Sequence, residues 1–489
     1  MARTPTLRFD RGTLIIHPPP PGKAWIDHAT WDDRVERFRI PAIHYRKLVE
    51  TLQGETTPFT DNAKAFEPLA LAPQLTMTPY PHQQQALDAW AAAGRRGVVV
   101  LPTAAGKTYL AQMALQATPR STLITVPTLD LMHQWYAHLK TAFPDADVGL
   151  LGGGSRDKSA ILVATYDSAA INAEYIGNRY GLLICDECHH LPSDFNRVIA
   201  EYAIAPYRLG LTATPDRSDG RHIDLDTLLG PVVYHRTAEE LAGQALAQHE
   251  IVQIKVALSD TERDRYDHLI GLRNRFLQEN NIFLGSLQGW QRFVGASARS
   301  KAGRRAMLAH REAKAIALGT EGKLTVLADL LTQHYPEQTL IFTNDNATVY
   351  RISQEFLIPA ITHQTPVKER HDVLQRFREG TYRVLVASHV LNEGVDVPAA
   401  SVAVLLSGSG SAREYIQRLG RVLRKGDGTK YARLYEVVAE ETAEEGVSKR
   451  RRKAPQKRTG QLSLVPDQPY AAESNDRSKA AEEDGDYDA

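Results

Sequence analysis

From about residue 75 onward, short and continuously apolar segments alternate with stretches of helical periodicity, and this alternation restricts the possible folds more than any other feature. Continuous apolar strands are typical of parallel sheets buried on both faces, because the crossover helices cover each face. We therefore predict an α/β chain with two parallel-sheet domains. The predicted strands lie at 98–101, 123–126, 161–164 and 182–185 in the first series and at 340–342, 384–387 and 402–406 in the second.

The domain boundaries follow from changes in this pattern. Residues 1–74 precede the alternation, and a predicted strand at 13–17 with a short amphipathic helix at 45–52 indicates a small N-terminal domain. The two α/β domains are predicted to span residues 75–245 and 246–444.

Two further segments break the alternation. Residues 259–314 are polar and helical without a strand signal, which predicts a helical insertion within the second α/β domain. Residues 445–489 contain a dense basic cluster at 449–458 and an acidic stretch at 473–488, with few apolar residues between them. This composition predicts a disordered charged tail.

Composition excludes several classes of protein. Lys and Arg together number 58, as do Asp and Glu, so any nucleic-acid surface must be a local basic patch. Two cysteines are too few for a disulfide-stapled scaffold or a four-cysteine zinc site. The N-terminus has no apolar signal core and no run of 18 apolar residues occurs, so we expect a soluble, cytoplasmic protein without a membrane-spanning segment.

The segment 101–108, Leu-Pro-Thr-Ala-Ala-Gly-Lys-Thr, lies between a predicted strand and a predicted helix, which is the context of a phosphate-binding loop. In such a loop, backbone N–H groups surround the phosphates, Lys107 reaches the β- and γ-phosphates, and the Thr108 hydroxyl holds Mg²⁺. The alternative is a chance Gly-Lys-Thr sequence in a strand-to-helix turn. The residues predicted to bind the nucleotide are Thr103, Ala104, Ala105, Gly106, Lys107 and Thr108.

Two acidic residues, Asp186 and Glu187, follow the apolar strand predicted at 182–185. Asp186 can hold Mg²⁺, and Glu187 can orient and deprotonate an attacking water. A solvated acidic turn is the alternative, but it does not explain the preceding apolar strand or the order of the two motifs. Together the motifs predict an ATPase that uses ATP and Mg²⁺. We interpret Cys185 and Cys188 as structural, because no other cysteine can complete a metal site.

These motifs and others between residues 75 and 430 resemble, in their order, those of superfamily 2 helicases, and more closely those of the archaeal-type XPB helicases. Residues 79–86 resemble the Q motif, which implies that Gln83 reads the edge of adenine. The loop resembles motif I, with Ala104 in place of the usual glycine. The resemblance implies two RecA-like domains that close on ATP and Mg²⁺, with a small N-terminal domain and a helical thumb insertion.

The resemblance also implies residues that contact DNA or couple DNA to ATP. Thr128 in motif Ia and Thr165 in motif Ib would contact the phosphates of one DNA strand. Thr212 and Thr214 in motif III, with His189 of the Asp-Glu-x-His box, would link nucleotide state to DNA binding.

In the second α/β domain, motif V supplies Gly394 and Asp396 as coupling residues. In motif VI, Gln417, Arg421 and Arg424 lie at i, i+4 and i+7, so they share one face of a helix. The resemblance implies that these residues meet the γ-phosphate in the arginine-finger role. A solvated basic helix face is the alternative for this motif taken alone.

Two features favour the XPB helicases within the superfamily. Residues 9–52 resemble a DNA-damage-recognition domain, and residues 259–314 lie where the family places its thumb. The end of that thumb, 290–314, has seven Lys or Arg residues against one acidic residue, which favours phosphate contacts by Arg304 and Arg305. A generic solvated helix is the alternative.

A third feature is a departure from the family pattern. The Arg-Glu-Asp element implicated in strand opening reads Arg217-Ser218-Asp219 here. Arg217 and Asp219 are predicted to contact DNA, whereas the loss of the glutamate predicts weak strand separation.

The sequence therefore predicts an ATP-dependent DNA helicase acting in DNA repair, with the 3′–5′ polarity that the resemblance implies. Three alternatives stay open: a duplex DNA translocase with little strand separation, an RNA helicase, and a nucleotide-gated scaffold without turnover. We expect the DNA partner to contain junctions of single-stranded and duplex DNA, and the protein to associate with the nucleoid. Family analogy implies a nuclease partner. Gln461-Leu462-Ser463-Leu464 resembles a sliding-clamp-binding motif, although the usual aromatic residue is missing.

Overall fold

The computed structural model describes residues 4–20, 25, 28–72, 74, 77–217, 219–241, 248–388, 400–407 and 431–452. These residues form two compact units, one whose described part ends at Leu241 and one whose described part begins at Gln248. Within the described ranges, the first unit contains two sheets and the second contains one. None of the described helices combines the length and the sustained apolarity that crossing a lipid bilayer requires.

The first sheet lies near the N-terminus and is mainly antiparallel. Its elements are β1 (Thr6–Asp10), β2 (Thr13–His17), β3 (Thr30–Asp32), β4 (Arg37–Pro41), α1 (Tyr45–Gly54) and β5 (Thr60–Asn62). The strand order is β3-β4-β2-β1-β5, and the β1–β5 pair is parallel. Leu14 and Ile16 alternate along β2 into a core that Leu48 and Leu52 of α1 complete. The strand predicted at 13–17 and the helix predicted at 45–52 are both present.

The second sheet of the first unit is almost entirely parallel. Its strands are β6 (Arg96–Val100), β7 (Thr122–Val126), β8 (Val148–Gly152), β9 (Ser155–Arg156), β10 (Ile161–Thr165), β11 (Leu182–Asp186), β12 (Tyr207–Thr212) and β13 (Val232–His235). Its helices are α2 (Pro81–Ala92), α3 (Lys107–Ala117), α4 (Leu129–Ala142), α5 (Tyr166–Ile176), α6 (Val198–Glu201), α7 (Leu225–Leu228) and α8 (Ala238–Leu241). The order is β13-β6-β12-β11-β7-β10-β8-β9, and the β8–β9 pair is antiparallel. The four strands predicted in this series are confirmed as β6, β7, β10 and β11.

This strand order places the motif-bearing loops together. The strands β6, β12, β11, β7 and β10 are neighbours and run parallel, so their carboxyl ends lie along one edge of the sheet. Helices α4 and α5 start immediately after their strands because Thr128 and Thr165 cap them. Each threonine hydroxyl accepts a hydrogen bond of 3.3 Å from the backbone N–H three residues on.

The second unit is built on a parallel sheet of described order β14-β19-β18-β15-β17-β16. Its strands are β14 (Gln248–Val256), β15 (Thr339–Phe342), β16 (Ala360–Ile361), β17 (Val384–Ala387), β18 (Val402–Leu405) and β19 (Tyr431–Ala439). Its helices are α9 (Asp260–Glu279), α10 (Leu287–Arg299), α11 (Lys301–Gly319), α12 (Glu321–Gln333), α13 (Asn346–Phe356), α14 (Val367–Arg378) and α15 (Ala443–Arg452). The second α/β series is therefore confirmed, and α9 to α11 fill the segment predicted as a helical insertion.

The tail was predicted to be disordered from residue 445 onward, and this boundary is wrong because α15 continues to Arg452. Composition alone favours disorder there, but two acidic side chains of the first turn bind the rest of the unit. Glu444 pairs with Lys323 at 2.6 Å, and Glu445 pairs with Lys255 at 2.9 Å. Acidic residues in the first turn also suit the helix dipole.

Candidate active site

The predicted phosphate-binding loop joins β6 to α3 in a tight turn. Ala104 has a φ of 69° and Gly106 a φ of 79°, so both adopt the left-handed conformation. Gly106 caps α3, which begins at Lys107. The helix N-terminus presents N–H groups that lack intrahelical partners, together with the positive end of the helix dipole. This is the geometry that phosphate binding requires.

Gln83, on α2, holds this loop in place. Its Nε2 donates hydrogen bonds to the carbonyl oxygens of Gly106 at 3.1 Å and Ala105 at 3.4 Å, and its Oε1 accepts one from the Tyr80 N–H at 2.9 Å. A side chain at position 106 would clash with the Gln83 amide, so this contact also requires glycine there. The buried amide therefore supports the phosphate loop, and its reading of adenine stays a prediction.

The structure brings Lys107 and the two acidic residues together. Lys107 Nζ lies 4.0 Å from Glu187 Oε1 and donates a hydrogen bond to the Leu101 carbonyl at 3.2 Å. Asp186 is the last residue of β11, and Glu187 follows with a φ of 47°, which ends the strand sharply. Three residues predicted from two separate motifs therefore share one site.

The Asp186 carboxyl is buried, and its pKa is raised to about 6. Burial is the main cause and the charge of Glu187 the second, whereas Lys107 and a hydrogen bond from Trp135 oppose the rise. A divalent cation beside these two carboxylates would offset their mutual repulsion.

The oxygen atoms of this site fit Mg²⁺. Glu187 Oε2 is buried and accepts no hydrogen bond within the described part of the chain, so it is a polar atom left for a ligand or its hydration shell. No cluster of three or more His, Cys, Asp and Glu suited to a metal occurs among the described residues. A pair of carboxylates such as Asp186 and Glu187 suits Mg²⁺, because this ion keeps several waters and uses one or two carboxylates with substrate phosphates.

His189 connects the acidic residues to motif III, as the coupling prediction requires. Its Nδ1 lies 3.5 Å from Glu187 Oε2 and 3.1 Å from Thr212 Oγ1. Thr212 Oγ1 in turn donates to the Thr214 carbonyl and accepts from the Thr214 N–H, at 3.0 and 3.2 Å. The three residues predicted for coupling in this unit therefore form one hydrogen-bonded group, and His189 places that group beside the Glu187 carboxylate.

Arg217, predicted as a DNA contact, is held by two partners within the protein. Its Nε and Nη2 donate to the Asp219 carboxylate at 2.9 and 2.6 Å, and its Nη1 donates to the His189 carbonyl at 2.6 Å. The Arg217 hydrogen bonds hold the pKa of Asp219 at about 2, below its ordinary value of 3.8. The element is therefore fixed to the acidic motif, while its DNA contacts stay predictions.

Two buried aromatic side chains reach Asp186, and the sequence did not reveal them. Trp135 Nε1 donates to Asp186 Oδ2 at 2.8 Å, and the Tyr166 hydroxyl donates to the Asp186 carbonyl at 2.9 Å. One signal was available in the sequence: Trp135 belongs to the residues that resemble motif Ia, and Tyr166 to those that resemble motif Ib. Both motifs are assigned to DNA contact by the family resemblance. Each had the apolar surroundings of an ordinary core residue.

The remaining DNA-contact candidates lie at helix starts and on the thumb. Thr128 and Thr165 use their hydroxyls for capping, so the helix N-termini rather than free hydroxyls are left to face phosphates. Every Lys and Arg of 290–314, including Arg304 and Arg305, is exposed. DNA contact by these residues stays a prediction.

Five predicted residues lie outside the described part of the chain, so their roles stay predictions. These are Gly394, Asp396, Gln417, Arg421 and Arg424.

Both cysteines are buried in the core of the first unit. Burial raises the pKa of the Cys185 thiol to about 12 and also raises the pKa of Cys188. Thiols in such an environment are poorly reactive.

A phosphate loop, an acid pair and a histidine linked to a Thr-Ala-Thr segment, all at one edge of a parallel sheet, define an ATP-hydrolysing motor of the helicase type. Three family models match the chain. They are the Xeroderma pigmentosum group B helicase damage recognition domain over residues 7–63, the type III restriction enzyme res subunit over 76–217, and the helicase conserved C-terminal domain over 322–426.

Relatives with similar sequences agree with these models. The chain is 40% identical to the DNA 3′-5′ translocase XPB2 of Sulfurisphaera tokodaii, over 91% of this chain and 99% of that protein. It is 30% identical to the DNA 3′-5′ helicase XPB of Mycobacterium tuberculosis, over 89% of this chain and 70% of that protein. The chain belongs to the XPB family of superfamily 2 helicases.

The fold also resembles a solved structure, the Hef helicase domain of Pyrococcus furiosus. The TM-score is 0.53 at 19% identity, and the match covers 75% of this chain and 97% of that one. The predicted fold class is confirmed.

Proposed function

We propose that this XPB-family chain is an ATP-dependent motor that acts on DNA with 3′–5′ polarity in DNA repair. The observation that carries the proposal is the meeting of Lys107, Asp186 and Glu187 at one sheet edge, with His189 joining them to Thr212. The relatives named above act on DNA with that polarity according to their names. The 57 residues that match the damage recognition model, 7–63, support a role in repair.

The roles of the site residues follow from their positions. The N-terminus of α3 and Lys107 bind the phosphates of ATP, and Thr108 and Asp186 hold Mg²⁺. When bound, Mg²⁺ neutralises charge on the phosphates. Glu187 orients the attacking water and accepts its proton. His189 transmits the resulting change at the acidic site to Thr212 and Thr214.

The test is DNA-stimulated ATP hydrolysis by matched variants. Lys107→Ala and Glu187→Gln should each lower turnover by at least about a hundredfold. Glu187→Gln should keep its affinity for ATP, because it retains the shape and loses only the basic carboxylate. Lys158→Ala and Glu174→Gln alter exposed residues of the same unit and serve as controls. Turnover within tenfold of the wild type in either site variant would refute the assignment.

A duplex translocase with little strand separation is the second candidate. The relative with 99% coverage is named a translocase, and Ser218 replaces the glutamate of the strand-opening element. Displacement of a third strand from a triplex reports translocation, and displacement from a 3′-tailed duplex reports unwinding. Triplex displacement without duplex unwinding favours the translocase. Stronger stimulation of the ATPase by RNA than by DNA would favour an RNA helicase.

The proposal also includes two protein partners, a nuclease and a sliding clamp. A nuclease that cuts the DNA opened or moved by this motor is proposed from family analogy. Gln461 to Leu464, outside the described residues, is proposed as a sliding-clamp-binding segment. A peptide spanning 456–470 that does not bind a clamp at high micromolar concentration would remove that segment from the proposal.

A further inference from the structure

We propose that Trp135 and Tyr166 are positioning residues that hold Asp186 for Mg²⁺ and transmit DNA contact at α4 and α5 to that carboxylate. The inference rests on the proposed function, because it assigns two more residues to the same ATPase site. It assigns to Trp135, on the helix that Thr128 begins, a contact with the acidic site.

Asp186 is fixed by three hydrogen bonds from three directions. Oδ2 accepts from the Trp135 indole at 2.8 Å, Oδ1 accepts from the Glu187 N–H at 3.0 Å, and the backbone carbonyl accepts from the Tyr166 hydroxyl at 2.9 Å. Each carboxylate oxygen thus has one donor and keeps a further lone pair for a cation or its water. The Trp135 and Glu187 donors therefore determine which way the carboxylate faces, and the Tyr166 hydroxyl holds the backbone that carries it.

Both aromatic side chains are rigid parts of the helices that begin at the predicted DNA contacts. Trp135 is 1% exposed and lies seven residues after Thr128, roughly 10 Å along α4. Tyr166 is 3% exposed and directly follows Thr165 at the start of α5. Because Trp135 lies on α4 and Tyr166 on α5, a shift of either helix on DNA moves a donor to Asp186.

The first unit provides a matched control for this idea. Trp90 is also 1% exposed, and its indole donates a hydrogen bond of 2.8 Å to the backbone carbonyl of Arg208. Trp90→Phe and Trp135→Phe therefore remove the same buried indole donor from the same unit. Only the second change removes a hydrogen bond from the acidic site.

The experiment compares Trp135→Phe, Tyr166→Phe and Trp90→Phe with the wild-type chain. Trp135→Phe should raise the Mg²⁺ concentration for half-maximal DNA-stimulated ATPase by about tenfold to a hundredfold. The affinity for a fluorescent ADP should fall in Mg²⁺ and stay within about twofold in EDTA, because the phosphate loop is untouched. Tyr166→Phe, which removes only one hydroxyl, should act in the same direction and by less. Trp90→Phe should change neither quantity.

A spectroscopic measurement tests the link to DNA without turnover. In protein labelled with 5-fluorotryptophan, the resonance lost in Trp135→Phe should shift when single-stranded DNA is added without nucleotide, while the resonance lost in Trp90→Phe should not. Equal Mg²⁺ dependence in Trp135→Phe and Trp90→Phe, or a Trp135 resonance that ignores DNA, would overturn the inference. If the wild-type chain has no DNA-stimulated ATPase, the proposed function fails instead. If Trp135→Phe does not fold, Tyr166→Phe alone decides the Mg²⁺ result.

Discussion

The most buried ion pair described in the second unit gives a sharp stability prediction. Lys323 and Glu444 are 1% and 4% exposed. Lys323 Nζ donates to the Leu406 carbonyl and to Glu444 Oε2, both at 2.6 Å, and Oε2 also accepts from the Ala439 N–H at 2.8 Å. The pair thereby ties α12, β18, β19 and α15 together.

We predict that Lys323→Met lowers the free energy of unfolding of this unit by about 3–5 kcal/mol, because it leaves the Glu444 carboxylate buried without a cation. For a unit of this size the melting temperature should fall by about 6–20 °C. Hydrogen exchange of peptides from β18, β19 and α15 measures the loss locally, so it does not depend on two-state unfolding of the whole chain.

Two further variants separate the pair from ordinary surface effects. Lys255→Met breaks a half-exposed pair between Lys255 on β14 and Glu445 on α15, the helix that also carries Glu444. This change should lower the free energy of unfolding by no more than about 1 kcal/mol. The double variant Lys323→Met, Glu444→Met should recover to within about 2 kcal/mol of the wild type, because apolar packing replaces the buried charges. The reasoning is refuted if Lys323→Met costs no more than Lys255→Met, or if the double variant is less stable than Lys323→Met.

Three other predictions concern the first unit and the thumb. Ala104→Gly should stabilise the nucleotide-free protein by about 0.5–1 kcal/mol in thermal unfolding, because removing the left-handed strain outweighs the extra entropy of glycine. Neutralising Arg304 and Arg305 should weaken DNA binding for all sequences and flatten the plot of log affinity against log salt by about one to two units of slope; an unchanged slope would place this face away from DNA. The Arg217–Asp219 pair stabilises the fold above pH 4, since the folded pKa of Asp219 is depressed, and this contribution is lost as the pH falls from 4 through 2. Asp219→Asn should therefore flatten acid destabilisation in that window, by under about 1 kcal/mol because the pair is partly exposed.

The central strands were predictable because burial on both faces leaves a continuous apolar run. Residues 384–387 are an example, since the predicted and observed strands coincide. The polar segment Thr60–Asn62 carries no such signal and becomes β5 because β1 offers a parallel edge. Strand β19, Tyr431–Ala439, was missed because Arg433 and Glu436 interrupt its apolar residues. Tertiary pairing, rather than local sequence, determines these strands.

The chemistry of the site was predictable to the level of residue types. Lys107, Asp186 and Glu187 follow from motif spacing, and the structure brings them together. Which atoms hold them could not be predicted, because the Gln83 amide and the Trp135 indole are recognisable only by their hydrogen bonds. A sequence motif identifies the residues that contact the substrate more clearly than it identifies the neighbours that orient those residues.

The Arg217-Ser218-Asp219 element gives the last prediction. The family glutamate could act by orienting Arg217 or by placing charge at the DNA fork. Here Asp219 accepts from Nε and Nη2 of Arg217, and the His189 carbonyl accepts from Nη1, so Arg217 is already oriented without a glutamate at position 218.

Ser218 itself lies outside the described residues, but the surrounding contacts separate the two explanations. If orientation were the function of the glutamate, neither Ser218→Glu nor Ser218→Gln should improve strand separation. If charge is the function, Ser218→Glu should increase strand displacement from a 3′-tailed duplex, whereas Ser218→Gln should not. The DNA-stimulated ATPase rate should be unchanged in both variants. We expect the second result, because the Asp219 carboxylate already occupies the bidentate Nε–Nη2 edge of Arg217 that a new carboxylate would use to orient it. Equal gains from glutamate and glutamine would contradict it, since the two side chains share size and differ in charge.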